Sequence, residues 1–137
     1  MAKATTTRGA ANPPIHLSEA DYDVIAGLAI PMEKSAPELA RQIVEEIDRA
    51  KLHAPGKLPK DVVAIGSEVE FVDDSTGERR RLQLVLPAQA DIEAGRISVM
   101  TSVGAGLIGM SVGREINWPT PDGRPRKLRI LEVKQQP

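Results

Sequence analysis

The chain predicts an α+β fold, with helices first and strands after them. Three observations carry that assignment. Apolar residues recur at helical spacing between Tyr22 and Ile47. From Lys57 onward the period falls to two, as in half-buried strands. A glycine-punctuated apolar segment, residues 99–113, then separates two sets of alternating residues.

Taken in order, the small polar residues 1–14 read as a disordered tail. Ser18 and Asp21 resemble a capping box, and Tyr22, Ile25 and Leu28 follow on one helical face. Pro31 should end this helix, because the residue before a proline is pushed out of the α region. Ser35-Ala36-Pro37-Glu38 is a second start signal, with serine as cap and proline in the first turn. Leu39, Ile43, Val44 and Ile47 then form an apolar stripe, with Arg41, Glu45, Glu46 and Arg49 opposite. Lys51 falls in the last turn, where a cation suits the helix dipole, and His53-Ala54-Pro55-Gly56 stops the helix. The expected lengths are about twelve and about seventeen residues, or roughly 18 and 25 Å. Two helices joined this closely pack as an antiparallel hairpin, a short coiled coil.

In the second part Val69 and Phe71 alternate with Glu68 and Glu70, and residues 73–77 make a turn. Leu82, Leu84 and Leu86 return on one face, and Pro87 closes the first β-hairpin. Residues 90–95 are a loop or short helical turn, and 97–100 a third strand. A short helix over 105–108 precedes a second hairpin, 115–118 and 127–133, turning at Pro121-Asp122-Gly123.

Composition narrows the function classes. The chain has 137 residues, 41% apolar but with only Tyr22, Phe71 and Trp118 aromatic, so its core is aliphatic. A net charge of -1 argues against bulk electrostatic capture of nucleic acid. With no cysteine, disulfide and thiol chemistry are absent. No apolar run approaches the ~18 residues of a membrane span, so a cytoplasmic, soluble protein is expected.

The sequence offers little catalytic material. His16 and His53, the only histidines, have no ligand neighbours at metal-binding spacing and read as structural. Gly104, Gly106 and Gly109 make a G-x-G-x-x-G string with no long helix after it, so they read as turn and close-packing positions. Glu33 and Glu38 flank the turn between the helices, where acidic residues serve capping and the dipole. Arg79-Arg80-Arg81 begins a strand and Arg124, Arg126, Lys127 and Arg129 lie on the last hairpin, either as a solvated face or as a surface for an acidic partner. No cofactor or metal site is expected.

In their order and spacing, several segments together resemble the nucleoside diphosphate kinase regulator family, related to the bacterial Gre transcript-cleavage factors. They are residues 46–50, 58–63, 98–100, 104–109, Ile116-Asn117-Trp118-Pro119 and Asp122-Gly123. The resemblance implies a division into a tail (1–14), a helical hairpin (15–54) and an FKBP-like antiparallel β domain with one short helix (55–137). It implies a monomer that docks at the secondary channel of core RNA polymerase, touches nucleic acid at most through the polymerase, and directs its hairpin into the channel. The docking loop of Gre factors typically carries Ser-Pro; here it maps to Met100, Thr101, Ser102 and Val103, without the proline. The hairpin tip maps to Ile30, Met32, Glu33 and Glu38, apolar rather than doubly acidic. Gre factors have longer hairpins whose acidic pair holds a catalytic Mg²⁺, so the resemblance implies a non-catalytic regulator competing with them. The alternatives are a Gre-like cleavage or elongation factor, or a prolyl isomerase, whose aromatic-walled pocket Phe71 and Trp118 alone do not supply.

Overall fold

The computed structural model describes residues 15–74, 76–119 and 125–135, without the side chains of 102, 116–119 and 125–126. The proposed tail and the turn at Pro121–Gly123 lie outside the described residues. The elements are β1 (His16–Ser18), α1 (Glu19–Ser35), α2 (Pro37–Asp48), β2 (Lys51–His53), β3 (Glu68–Asp73) and β4 (Glu78–Val85). They continue with 3₁₀ turns at Pro87–Gln89 and Ile92–Ala94, β5 (Arg96–Ser98), α3 (Ser102–Leu107), β6 (Glu115–Pro119) and β7 (Pro125–Lys134). This is the mixed α+β order expected.

The helices differ from expectation at their shared end. Ser18 caps α1 by accepting from the Asp21 N–H at 3.1 Å, but Pro31 does not end it; α1 runs on to Ser35. Proline removes one helical hydrogen bond, to the carbonyl four residues back. That carbonyl belongs to Gly27, which, like Pro31, is exposed, so water can take the lost partner's place. Ile25 and Ala29 are buried and hold the helix down on either side of that site. Ser35 is thus the last residue of α1 rather than the cap of α2. Ala36 alone separates the helices, its N–H donating to the Met32 carbonyl at 2.8 Å, and Pro37 starts α2. The bend therefore lies at 35–37, between Glu33 and Glu38 but later than the stop expected at Pro31, and the lengths are reversed: 17 residues for α1 and 12 for α2. The Tyr22 hydroxyl near the start of α1 donates to Asp48 Oδ1 at the end of α2, at 2.8 Å, so the helices run back along one another. Ile25, Ile43 and Ile47 fill the space beneath them. A fully buried isoleucine contributes about 1.5–3 kcal/mol.

The second helix also stops early, and Lys51–His53 forms a strand that pairs in parallel with His16–Ser18. Period-based reading misses three-residue strands because alternation needs about four residues or more to show. His16 and His53 meet across this pair.

The main sheet has the order β5-β4-β3-β7-β6. Three of its pairings are antiparallel. The fourth, β4 with β5, is parallel, which corrects the expectation of a wholly antiparallel sheet. Residues 86–95, with their two 3₁₀ turns, carry the chain back for that pairing. Strand β5 is shorter than expected, and the small helix starts earlier, at Ser102, because Thr101 caps it through the Gly104 N–H at 3.0 Å.

One apolar cluster joins helices and sheet, with Leu17, Ile25 and Ile43 from the first part and Val69, Leu84, Leu107 and Ile130 from the second. The Asp21 carboxylate accepts from the Ile65 N–H at 3.1 Å, a polar tie across the same boundary. The close-packing reading of the glycines holds at Gly104 and Gly109. A Cβ on Gly104 would stand 2.2 Å from the Ser98 carbonyl oxygen. Gly109 has φ +81 and lies against the backbone of His16.

Gly104→Ala should therefore lower the unfolding free energy by about 3 kcal/mol, since α3 or the β5 end must shift, as read by urea denaturation. Asp21 gives a second test. Burial raises its carboxyl above the ordinary value, against the opposing Ile65 hydrogen bond. Its contribution to stability is then full below the ordinary Asp range and is lost as pH rises through the raised value. Asp21→Asn keeps an acceptor for Ile65, so its melting temperature should gain on the parent's as pH climbs from about 3 to 7.

Candidate functional site

The predicted docking residues form the junction between β5 and α3. Ser98, buried at the end of β5, accepts from the Met100 N–H through Oγ at 3.0 Å. Thr101 Oγ1 donates to the Ser98 carbonyl at 2.8 Å and accepts from the Gly104 N–H at 3.0 Å. The Val99 N–H donates to the Val85 carbonyl at 2.8 Å. The loop is thus held by its own side chains and backbone, without a proline. Its four residues do not share one environment. Met100 is 6% exposed and sits in the core, whereas Thr101 and Val103 are partly exposed; the Ser102 side chain lies outside the described set.

Val103 also lines a cleft of about 410 Å³ between the sheet and α3. Phe71, Leu82, Ile97 and Leu128 contribute apolar wall, while Glu78, Arg80 and Arg96 add charge. Ile92, 74% exposed, is also part of its lining. Strand register explains why an arginine belongs here. Arg80 is the direct cross-strand partner of Phe71 and so shares its face of the sheet. Arg81 points to the other face, where it reaches Glu132 at 2.8 Å, Glu70 at 3.4 Å and Glu68 at 3.8 Å. Its hydrogen bond with Glu132 raises the guanidinium pKa and lowers the carboxyl's. The three-arginine run is therefore split by alternation. Sequence reasoning missed the cleft, and the available signal was Arg80 at an apolar-face position.

The second predicted group lies along the helix pair. Ile30 is 66% exposed. Met32 is partly buried against the core. Glu33 and Glu38 are exposed on either side of the bend. Glu33 borders a shallow hollow with Pro37, Ala40, Arg41, Val44 and Glu45, and Glu38 borders another with Ala36, Pro37, Leu39 and Gln42. Among the described residues no group of three His, Cys, Asp or Glu side chains is placed to hold a metal ion. No helix among them is long and apolar enough to cross a membrane. The arrangement presents surfaces for contact: a self-braced loop, an apolar cleft with a charged border, and the exposed face of a two-helix pair.

Comparison with known proteins gives this geometry a context. The family model described as "Transcription elongation factor, GreA/GreB, C-term" matches residues 58–135, the segment that carries the loop and the cleft. The "Regulator of nucleoside diphosphate kinase" of Escherichia coli (strain K12) is 36% identical over 125 residues, 91% of this chain and 92% of that one. The transcription elongation factor GreA of Azorhizobium caulinodans is 38% identical over 93 residues, 68% of this chain and 59% of the factor. Among solved structures, a prokaryotic transcription elongation factor GreA/GreB from Nitrosomonas europaea superposes with a TM-score of 0.71 at 32% identity, covering 90% of this chain and 99% of that one. The β5–α3 loop, the cleft and the helices before them are thus the parts of a protein that belongs to the GreA/GreB transcription elongation factor family.

Proposed function

We propose that the protein is a non-catalytic transcription regulator that binds core RNA polymerase at the secondary channel and competes there with Gre-type factors. The observation that carries this reading is the short helix pair attached to a GreA/GreB-type C-terminal half. At about 1.5 Å per residue, α1 and α2 reach roughly 25 and 18 Å. The match to the nucleoside diphosphate kinase regulator spans nearly the whole of both chains, while the match to GreA leaves much of that factor uncovered. In this reading residues 15–54 are a hairpin directed into the channel, and 55–137 an FKBP-like docking domain with its sheet curled around α3. Thr101, Ser102, Val103 and the adjoining cleft supply the docking contact, and Met100 anchors the loop in the core.

The bend supports occupancy of the channel rather than chemistry in it. Glu33 and Glu38 stand on opposite sides of residues 35–37, and Arg41 lies beside Glu33 around the same hollow. The protein acts as a cytoplasmic monomer without a cofactor, and nucleic acid reaches it only through the polymerase.

The test is competition between this protein and a Gre factor for core polymerase, read by fluorescence anisotropy. Displacement at micromolar concentration is expected, and absence of binding there contradicts the proposal. Val103→Asp and the more exposed Arg80→Glu should each weaken binding by about tenfold. Circular dichroism checks that both variants remain folded. Transcript cleavage in backtracked complexes should be unchanged on adding the protein; acceleration abolished by Glu33→Gln or Glu38→Gln would favour a cleavage factor instead.

A further inference from the structure

His16 opens β1 and His53 closes β2, on the two chain segments that lead into α1 and out of α2. Their imidazoles meet with His16 Nδ1 3.0 Å from His53 Nε2. The ring centroids are 5.1 Å apart and the planes tilted by 46°. A nitrogen-to-nitrogen contact of this length is a hydrogen bond, and it requires one N–H facing one lone pair. We infer that this contact is a proton-operated latch that fastens the base of the helix pair, closed while one facing nitrogen stays unprotonated and open once both rings are charged.

The count of protons gives the latch its threshold. The two neutral rings carry two protons on four nitrogens, one of them in the shared contact. A third proton goes to the outer nitrogen of the donor ring and leaves the contact intact. A fourth has only the facing acceptor left, and two N–H groups then oppose each other. The surroundings favour the closed form. Burial and the neighbouring His53 lower the pKa of His16 most, with Lys51 on β2 and Arg114 before β6 adding to them. Asp61 in the linker acts in the opposite direction. A histidine held below its ordinary value stabilises the fold fully above that value, and the stabilisation is lost as pH falls through the range down to the shifted one.

The latch guards two backbone bonds. The Lys51 N–H donates to the Ile15 carbonyl at 2.9 Å, and the His16 N–H to the Gly109 carbonyl at 2.9 Å. Opening would free β1 and β2 locally, while the main sheet keeps its own ladder. The inference stands apart from the polymerase reading, since it concerns only how the helices are fastened.

Native-state hydrogen exchange tests it on the full chain, at neutral pH and at about pH 5. Protection of the His16 and Lys51 amides should fall about tenfold more than that of Leu84 and Val99 on acidification. In the double variant His16→Asn with His53→Gln, which keeps polar reach but accepts no proton, the four amides should change together. An equal loss at all four sites in the parent, or an unchanged differential loss in the double variant, overturns the latch. Imidazole ¹⁵N titration of the parent gives an independent reading that needs no variant. Two linked steps, with the later one below the ordinary histidine range, are expected; two separate steps at the ordinary value overturn it.

Discussion

The joint between helices and sheet depends on the absence of one side chain. At Gly109 the backbone turns with φ +81 and lies so close to β1 that a Cβ would stand 2.9 Å from both the His16 carbonyl oxygen and the Ile15 side chain. Because nothing projects there, the Gly109 carbonyl accepts from the His16 N–H while its own N–H donates to Val63. Three segments far apart in the chain, the entry to α1, the linker and the exit of α3, are thereby stacked by backbone bonds. With β1 seated, Leu17 is fully buried, and β2 can pair with β1 on its other side. Together with the shared apolar cluster and the Asp21–Ile65 bond, this contact places the helix pair.

The main sheet solves a different problem, because its outer face carries carboxylates that would repel one another. Glu70 and Glu132 are direct cross-strand partners, and like charges in that position destabilise a sheet. Arg81 reaches both and also Glu68, so one cation from β4 offsets three anions on β3 and β7. Arg129 acts similarly between Asp74 and Glu115. Arg81 and Arg129 are thereby paired within the sheet. Arg80 and Arg96 instead turn toward the cleft, giving the apolar surface there a charged border.

These features suit a protein that works by presenting shape. The β5–α3 loop is braced by Ser98 and Thr101, so it keeps one form without a proline. A preformed loop loses little conformational entropy on contact, which favours docking. The helix pair is held against the same core by Ile25, Ile43 and Ile47. Histidines at its base make its attachment responsive to protons while leaving the loop unaffected.

The apolar periodicities of Tyr22–Leu28, Leu39–Ile47, Val69–Phe71 and Leu82–Leu86 were sufficient to read two helices, the first hairpin and the α+β order, because each spans enough residues to show its period. The close-packing role of Gly104 and Gly109 was legible for a similar reason, since few other uses explain glycines inside an apolar segment. The stopping point of α1 was not legible: Pro31 is a local stop signal, and it was overridden because the carbonyl it leaves unpaired, that of exposed Gly27, is open to water while Ile25 and Ala29 are buried. Nor was the β1–β2 pair, the parallel seating of β5, the turning of Met100 into the core, or the meeting of His16 and His53. Each of these depends on residues distant in sequence being brought to hydrogen-bonding or packing distance. Local spacing records which face a residue takes; which partner lies across that face is set by how the segments stack.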